Sequence, residues 1–121
     1  MNRRVLIVED EPNIASALEF LLGHAGFDVE LEADGANAIS RISKSRADLV
    51  ILDVMLPNRS GFDILRDMRA GAFQSLPVLM LTAKGQSQDR KTAEELGVTA
   101  FMTKPFSNAA VIETVRKLVE A

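Results

Sequence analysis

Three acidic residues follow apolar stretches of the chain, at points where buried strands would end. Asp53 comes directly after the apolar run 49–52, and Glu9 and Asp10 come directly after the run 5–8. Each has an ordinary interpretation, because Asp is common in turns and acidic residues favour the N-terminus of a following helix. Brought together, the three carboxylates would repel one another unless a cation neutralised them, and Mg²⁺ prefers such oxygen ligands. The chemistry therefore depends on whether the fold brings them together.

A hydroxyl and an ammonium group occupy similar positions later in the chain. Thr82 follows the apolar run 78–81, and Lys104 closely follows the stretch 99–102 and precedes Pro105. Alone, these residues would be a Thr bonded to the backbone and a surface Lys. Beside an acidic metal site, the ammonium and the metal would balance the charge of a phosphoryl group, and the hydroxyl could donate to its oxygens.

Apolar runs alternate with segments of helical period along the chain, which predicts alternating strands and helices. The predicted strands are residues 4–8, 27–33, 48–53, 78–81 and 99–102. The predicted helices lie at 12–25, around 38–42, around 62–68, at 87–96 and after Ser107, which can cap the last one. Such a (βα)5 pattern predicts an α/β fold with three α/β/α layers and a five-stranded parallel sheet in the flavodoxin-like order 2-1-3-4-5.

This strand order would assemble a site. The carboxyl ends of strands 1 and 3 meet where the order reverses, and open α/β sheets bind ligands in the crevice at that edge. Glu9, Asp10 and Asp53 would therefore converge, with Thr82 and Lys104 on the same edge at the ends of strands 4 and 5. The second predicted strand alternates apolar and acidic residues, as an edge strand does, which agrees with this order.

The order of these residues resembles the receiver domain of two-component response regulators. The resemblance covers essentially the whole chain, so that residues 1–121 would form one receiver domain. The motifs that carry it are Val-Leu-Ile-Val-Glu-Asp-Glu at 5–11, Asp-Leu-Val-Ile-Leu-Asp-Val-Met-Leu-Pro at 48–57 with Gly61, Leu-Thr-Ala at 81–83 and Lys-Pro-Phe at 104–106. Their joint spacing is far more specific than any one of them.

The resemblance implies that Asp53 accepts a phosphoryl group from a phosphohistidine on a histidine kinase or a histidine phosphotransfer protein. Glu9 and Asp10 would hold Mg²⁺ together with Asp53. The backbone carbonyl of Met55 would complete the protein ligands, and Lys104 would contact the phosphoryl oxygens. Such a domain is a signalling phosphoacceptor and not an enzyme with a separate substrate, although it promotes its own phosphotransfer and dephosphorylation.

The resemblance also implies a switch between two states of the domain. Thr82 would turn its hydroxyl towards the phosphoryl group, and Phe101 would rotate inward behind it. This change would alter the face formed by helix 4, strand 5 and helix 5, and so control a partner or an output domain. The predicted helix at 87–96 has few apolar contacts, chiefly Ala93 and Leu96, so we expect it to be loosely held.

Two positions depart from what many members of that family show. Glu9 stands where Asp is common, and its extra methylene favours a water-mediated contact with the metal. Thr99 and Ala100 stand where many DNA-binding regulators carry acidic residues that pair with basic residues of the last helix. We therefore expect that this domain does not use that charge-paired dimer.

Composition argues against several other classes of protein. The 121 residues include no Cys and one His, which excludes disulfides, thiol catalysis and zinc–thiolate sites and argues against a multi-His metal site. With no Trp or Tyr and a net charge of −3, the domain lacks the surfaces of a nucleic-acid binder, so we expect no direct binding to nucleic acid. No apolar stretch is long enough to span a membrane, which favours a cytoplasmic protein.

Two other classes built on a similar sheet fit less well. A small aspartyl-phosphate phosphatase would carry Asp-x-Asp after its first strand, where this chain has Glu9 and Asp10, and the residue two beyond Asp53 is Met55. A flavodoxin-like nucleotide binder would need a Ser/Gly-rich loop after strand 1, and the acidic segment 9–12 is its electrostatic opposite. The sequence leaves open whether the domain acts alone or within a longer regulator, and which kinase serves it.

Overall fold

The computed structural model describes residues 2–82 and 87–120, so Met1, Ala83 of the Leu-Thr-Ala motif and Ala121 lie outside the described residues. Within this part of the chain, the helices are all too short or too polar to cross a lipid bilayer. The elements in chain order are β1 Arg4–Val8, α1 Pro12–His24, β2 Asp28–Glu32, a short 3₁₀ helix Gly35–Asn37, α2 Ala38–Ser45, β3 Leu49–Asp53, α3 Gly61–Ala70, β4 Val78–Thr82, α4 Ser87–Glu95, β5 Ala100–Thr103 and α5 Asn108–Glu120.

The sheet has the predicted architecture. Its five strands are parallel in the order β2-β1-β3-β4-β5, which confirms the flavodoxin-like order. β1 pairs with β2 on one side and β3 on the other, so that Ile7 lies opposite both Leu31 and Ile51. Every residue of β3 is buried, as its continuous apolar run predicts for a central parallel strand. The strand order reverses between β1 and β3, and a crevice opens at their carboxyl ends.

Two hydrophobic layers cover the two faces of the sheet. Successive side chains of a strand point to opposite faces, so β1 and β3 contribute alternate residues to each layer. The layer that includes residues of α2 and α3 contains Leu6, Val8, Val50, Leu52, Ile42, Ile64, Leu65 and Met68. The layer that includes residues of α1 and α5 contains Val5, Ile7, Leu49, Ile51, Leu18, Leu22, Val111 and Val115.

The edge strand β2 is shorter than predicted but alternates as expected. It spans five residues, within the predicted 27–33, and boundaries of this kind commonly shift by one or two residues. Val29 and Leu31 pack against the layer beneath α1 and α5. On the other face, Arg41 of α2 lies 3.7 Å from a carboxylate oxygen of Glu30 and 3.8 Å from one of Glu32. The acidic side of the strand is therefore covered by a cation.

Helix termini follow the signals in the sequence. Pro12 begins α1, and Gly26, with a φ of 100°, follows its end. Glycine suits that left-handed conformation because it has no Cβ. Ser107 caps α5 as predicted, since its hydroxyl accepts a hydrogen bond of 3.0 Å from the Ala110 amide.

Strand β5 begins one residue later than predicted, because the Thr99 side chain forms hydrogen bonds with the segments before the strand. The Thr99 hydroxyl accepts hydrogen bonds from the Val78 amide at 3.0 Å and from the Arg69 guanidinium at 3.3 Å. Arg69 also donates to the Gly97 carbonyl at 2.8 Å. Thr99 therefore anchors the connection before β5. The neighbouring strand β4 extends one residue beyond its predicted end, to Thr82, which pairs with Thr103 of β5.

Candidate functional site

The crevice at the carboxyl ends of β1 and β3 holds the acidic residues that the sequence singled out. It has a volume of about 490 Å³. Its lining comprises Glu9, Asp10, Glu11, Pro12, Asp53, Met55 and Lys104. The parallel register brings these groups together, because β1 and β3 are adjacent and end at the same level.

The three carboxylates converge as predicted. Ligand oxygens of Glu9, Asp10 and Asp53 all lie within 4.8 Å of one another. Glu9 and Asp53 are buried, with 3% and 5% of their surfaces exposed, whereas Asp10 faces solvent. Three carboxylates at this spacing suit a single hard divalent cation, which binds oxygen ligands and offsets their mutual repulsion.

Lys104 reaches into the same crevice from the residue after β5. Its Nζ lies 3.0 Å from Oε1 of Glu9 and 3.4 Å from Oδ1 of Asp53. The Lys104 amide also donates a 2.8 Å hydrogen bond to the Thr82 carbonyl, which fixes the start of the side chain beside β4. The prediction that a cation lies on the same rim as the acids is therefore confirmed.

Burial and the close packing of charges together shift two pKa values. Burial raises the pKa of the Glu9 carboxyl, and the neighbouring Asp53 carboxyl raises it further, while Lys104 opposes both. Burial alone would lower the pKa of Lys104, but its hydrogen bond to Glu9 and the charges of Asp53 and Glu9 outweigh that effect and raise it. Lys104 is therefore fully charged near neutral pH and neutralises part of the acidic cluster.

Glu9 is held from two sides, by a side chain and by a backbone amide. Its Oε1 accepts a hydrogen bond from Lys104, and its Oε2 accepts one of 3.3 Å from the Glu11 amide. Glu11 is the N-cap residue of α1, so Glu9 contacts the start of that helix through Oε2 and the ammonium of Lys104 through Oε1. The Glu9 side chain is 1% exposed and points into the crevice.

The loop after β3 is fixed by contacts that its Pro and Gly residues alone did not predict. A Cβ at Gly61 would collide with the Asp53 carbonyl, and the Gly61 amide donates a 2.9 Å hydrogen bond to Val54. Ser60 caps α3 by accepting a 3.2 Å hydrogen bond from the Asp63 amide. The Ser-x-x-Asp spacing before an apolar helix was the available signal for this cap. Gly61 therefore lets α3 begin directly against the backbone of Asp53.

Thr82 lies at the predicted edge, but its hydroxyl has a partner that the sequence did not suggest. The side chain is 1% exposed and donates a 2.8 Å hydrogen bond to Oδ2 of Asp89 in the first turn of α4. Phe101 is half-buried in β5, and the guanidinium carbon of Arg90 lies 5.2 Å from the centre of its ring. The structure thus connects both residues assigned to the switch with α4.

Met55 contributes to the crevice from the loop after β3. Its side chain is 74% exposed, although the residue lines the crevice beside Asp53. The metal-ligand prediction for Met55 concerns its backbone carbonyl, so the exposure of the thioether does not bear on it. That prediction, and the water-mediated contact predicted for Glu9, remain predictions.

Comparison with known proteins places these features in context. The family model described as "Response regulator receiver domain" matches residues 5–116. The sensory transduction protein RegX3 of Mycolicibacterium smegmatis is 41% identical over 115 residues, which are 95% of this chain and 50% of that protein. The chain spans about half the length of the curated relatives it matches.

Solved structures show the same fold. The BeF3-activated N-terminal receiver domain of RstA from Klebsiella pneumoniae superposes with a TM-score of 0.93 and 27% identity, over 98% of this chain and 100% of that one. The receiver domain of the sensor histidine kinase PA1611 from Pseudomonas aeruginosa superposes with a TM-score of 0.91 and 28% identity, over all of both chains. The PA1611 structure has a magnesium ion coordinated in its active site cleft.

Proposed function

Because the chain belongs to the response regulator receiver domain family, we propose that residues 1–121 form one receiver domain that accepts a phosphoryl group on Asp53. The donor is a phosphohistidine on a histidine kinase or a histidine phosphotransfer protein. The observation that carries the proposal is the surroundings of Asp53. This buried carboxylate shares a crevice with two other acids within 4.8 Å and an ammonium group at 3.4 Å.

The donor set suits Mg²⁺, which would neutralise charge on the acids and on the phosphoryl oxygens. Glu9, Asp10 and Asp53 would hold the ion together with the backbone carbonyl of Met55. Carboxylate and carbonyl oxygens are the ligands that this hard cation prefers. The magnesium ion in the cleft of the PA1611 receiver domain supports the same assignment by analogy.

In the transfer step, a carboxylate oxygen of Asp53 forms a bond to phosphorus as the phosphorus–nitrogen bond of phosphohistidine breaks. The electron pair of that bond returns to the imidazole. Lys104 would balance the charge of the phosphoryl oxygens, because its ammonium already lies beside Asp53. Attack of water on the resulting acyl phosphate would release inorganic phosphate and restore the carboxylate, so the domain would reset itself without acting on a separate substrate.

The output of the proposed switch is the face formed by α4, β5 and α5. Phosphorylation would recruit the Thr82 hydroxyl and move Phe101 inward, which would present a different surface to a docking partner or an output domain. The Thr99 hydroxyl accepts hydrogen bonds from Arg69 and from the Val78 amide. Neither Thr99 nor Ala100 has the acidic side chain that the charge-paired dimer needs. We therefore do not favour the charge-paired dimer, nor direct contact of this domain with nucleic acid. A cytoplasmic location belongs to the same proposal.

Phosphorylation by a small donor tests this function directly. Incubated with acetyl phosphate and Mg²⁺, the protein is expected to gain one base-labile phosphoryl group, observed as an increase in intact mass. With EDTA in place of Mg²⁺ the adduct should be absent, because Lys104 alone cannot offset the repulsion between the three carboxylates and the anionic donor. A protein that gains no phosphoryl group with Mg²⁺, or gains it equally in EDTA, would contradict the proposal.

Lys104→Met is expected to tighten Mg²⁺ binding about threefold to tenfold, because the ammonium competes with the metal for Glu9 and Asp53. Titration followed by amide chemical shifts would measure the dissociation constant. Lys117→Met is the matched control, since it removes the same charge from an exposed position on α5. Equal affinities in the two variants would show that Lys104 does not compete with the metal.

A further inference from the structure

Two consecutive residues in the first turn of α4 hold the two side chains assigned to the switch. Asp89 accepts the hydrogen bond from the Thr82 hydroxyl at 2.8 Å. Arg90 places its guanidinium over the Phe101 ring at 5.2 Å from the centre. Thr82 is the last residue of β4 and Phe101 is the second of β5, so the turn bridges two neighbouring strands. We call these four residues the resting latch.

The hydrogen bond from Thr82 to Asp89 is incompatible with the proposed active state, because both need the one hydroxyl proton of Thr82. A threonine hydroxyl has one O–H and can donate it to one strong acceptor at a time. Thr82 gives that proton to Asp89, so it must leave Asp89 before it can donate to a phosphoryl oxygen on Asp53. The two hydrogen bonds therefore compete for the same donor.

Few side chains of α4 are buried, so the contacts of the latch contribute to holding the helix in place. Among the side chains of residues 88–95, Ala93 alone is buried, and the others are partly or fully exposed. An isolated helix of nine residues has little stability of its own, so its position depends on tertiary contacts. Because Asp89 and Arg90 are adjacent, a shift of this turn that releases Thr82 would release Phe101 as well.

From these contacts we propose that Asp89 and Arg90 are positioning residues that keep Thr82 and Phe101 in the unphosphorylated arrangement and so oppose phosphorylation. The proposal rests on the function proposed for Asp53. A contact made in one state only shifts the equilibrium towards that state, and by linkage it weakens whatever binds the other. Removing either latch contact should therefore strengthen binding of a phosphoryl group or its analogue at Asp53.

Beryllofluoride, an analogue of a phosphoryl group, provides the test on the full chain with saturating Mg²⁺. Asp89→Ala is expected to bind it about tenfold more tightly than the unmodified protein, the lower end for a hydrogen bond to a charged group. Asp89→Asn retains an acceptor oxygen and should fall between the two. Glu95→Ala is the matched control, because it removes an exposed carboxylate from the same helix and leaves the latch intact. Fluorine NMR of the bound analogue would give each affinity.

The Thr82→Ala background separates the latch from a general effect of charge on α4. Without the hydroxyl, Asp89→Ala should change the affinity for beryllofluoride by less than about twofold, since Asp89 acts through Thr82. An equal gain in both backgrounds, or no gain in either, would overturn the role of Asp89. Failure of the unmodified protein to bind the analogue at all would refute the proposed function and the latch together, whereas tight but equal binding by every variant would refute only the latch.

Arg90→Ala tests the second contact of the latch. It should raise the affinity for beryllofluoride about threefold, as expected for an exposed cation–π pair. It should also shift the ring resonances of Phe101 in the unphosphorylated protein towards those of the beryllofluoride-bound form. Lys91→Ala removes a neighbouring exposed cation and should do neither. Unchanged Phe101 resonances and affinity in Arg90→Ala would remove Arg90 from the latch.

Discussion

Asp53→Asn is expected to lower the initial rate of phosphorylation by acetyl phosphate at least about a hundredfold, because a neutral amide replaces the attacking carboxylate. The two side chains have nearly the same shape, so the buried end of β3 should keep its packing. The substitution also removes a carboxylate beside Lys104, whose charge would remain balanced by Glu9. Intact mass measured over time at saturating Mg²⁺ would give the rates.

Asp10→Asn is the matched control for loss of charge in the crevice. Asp10 belongs to the same carboxylate cluster but is exposed and lies after β1. Its replacement should weaken Mg²⁺ binding and yet permit phosphorylation once the metal is in excess. Phosphorylation of Asp53→Asn within about tenfold of the unmodified rate would contradict the assignment of the nucleophile.

Gly61→Ala is expected to lower the free energy of unfolding by about 3 kcal/mol, because the new methyl group would collide with the carbonyl of Asp53. The obstacle is backbone in the central strand, which cannot move aside as a flexible side chain could. The loop would have to shift, and with it the 2.9 Å hydrogen bond from the Gly61 amide to Val54. Urea denaturation followed by circular dichroism would measure the change.

Gly23→Ala is expected to change the free energy of unfolding in the opposite direction. Gly23 lies near the end of α1, and apart from its chain neighbours and the backbone of that helix no atom lies within 4 Å of the position its Cβ would take. Alanine there should stabilise the protein by about 0.5–1 kcal/mol through its better helix propensity. Similar unfolding free energies for the Gly23→Ala and Gly61→Ala variants would show that Gly61 is not required by close approach to Asp53.

The sheet could be predicted because its strands carry strong local signals. The continuous apolar runs of β1 and β3 are typical of strands buried on both faces, and the alternation of β2 is typical of an edge. Short connections and the handedness of parallel crossovers then leave few possible orders. The position of the crevice, with Glu9 and Asp53 close together in it, follows from that order.

Features that depend on contacts between distant segments could not be predicted. The sequence predicts that the fifth strand begins at Thr99, but the Thr99 hydroxyl accepts a hydrogen bond from Arg69, which lies 30 residues away in sequence. Asp89 and Arg90 lie in a polar helix whose pattern gives no sign that it touches Thr82. The sequence therefore indicated which residues form the rim of the site, but not which contacts hold those residues in the unphosphorylated protein.

Identification of the phosphorylated residue is the most direct test of the central claim. Borohydride reduces an aspartyl phosphate to homoserine, so the modified position can be read from the fragment masses of a digest. After treatment with acetyl phosphate and Mg²⁺, we predict homoserine at position 53 and aspartate at position 10. Homoserine at position 10, or reduction confined to any other residue, would contradict the assignment of Asp53 as the phosphoacceptor.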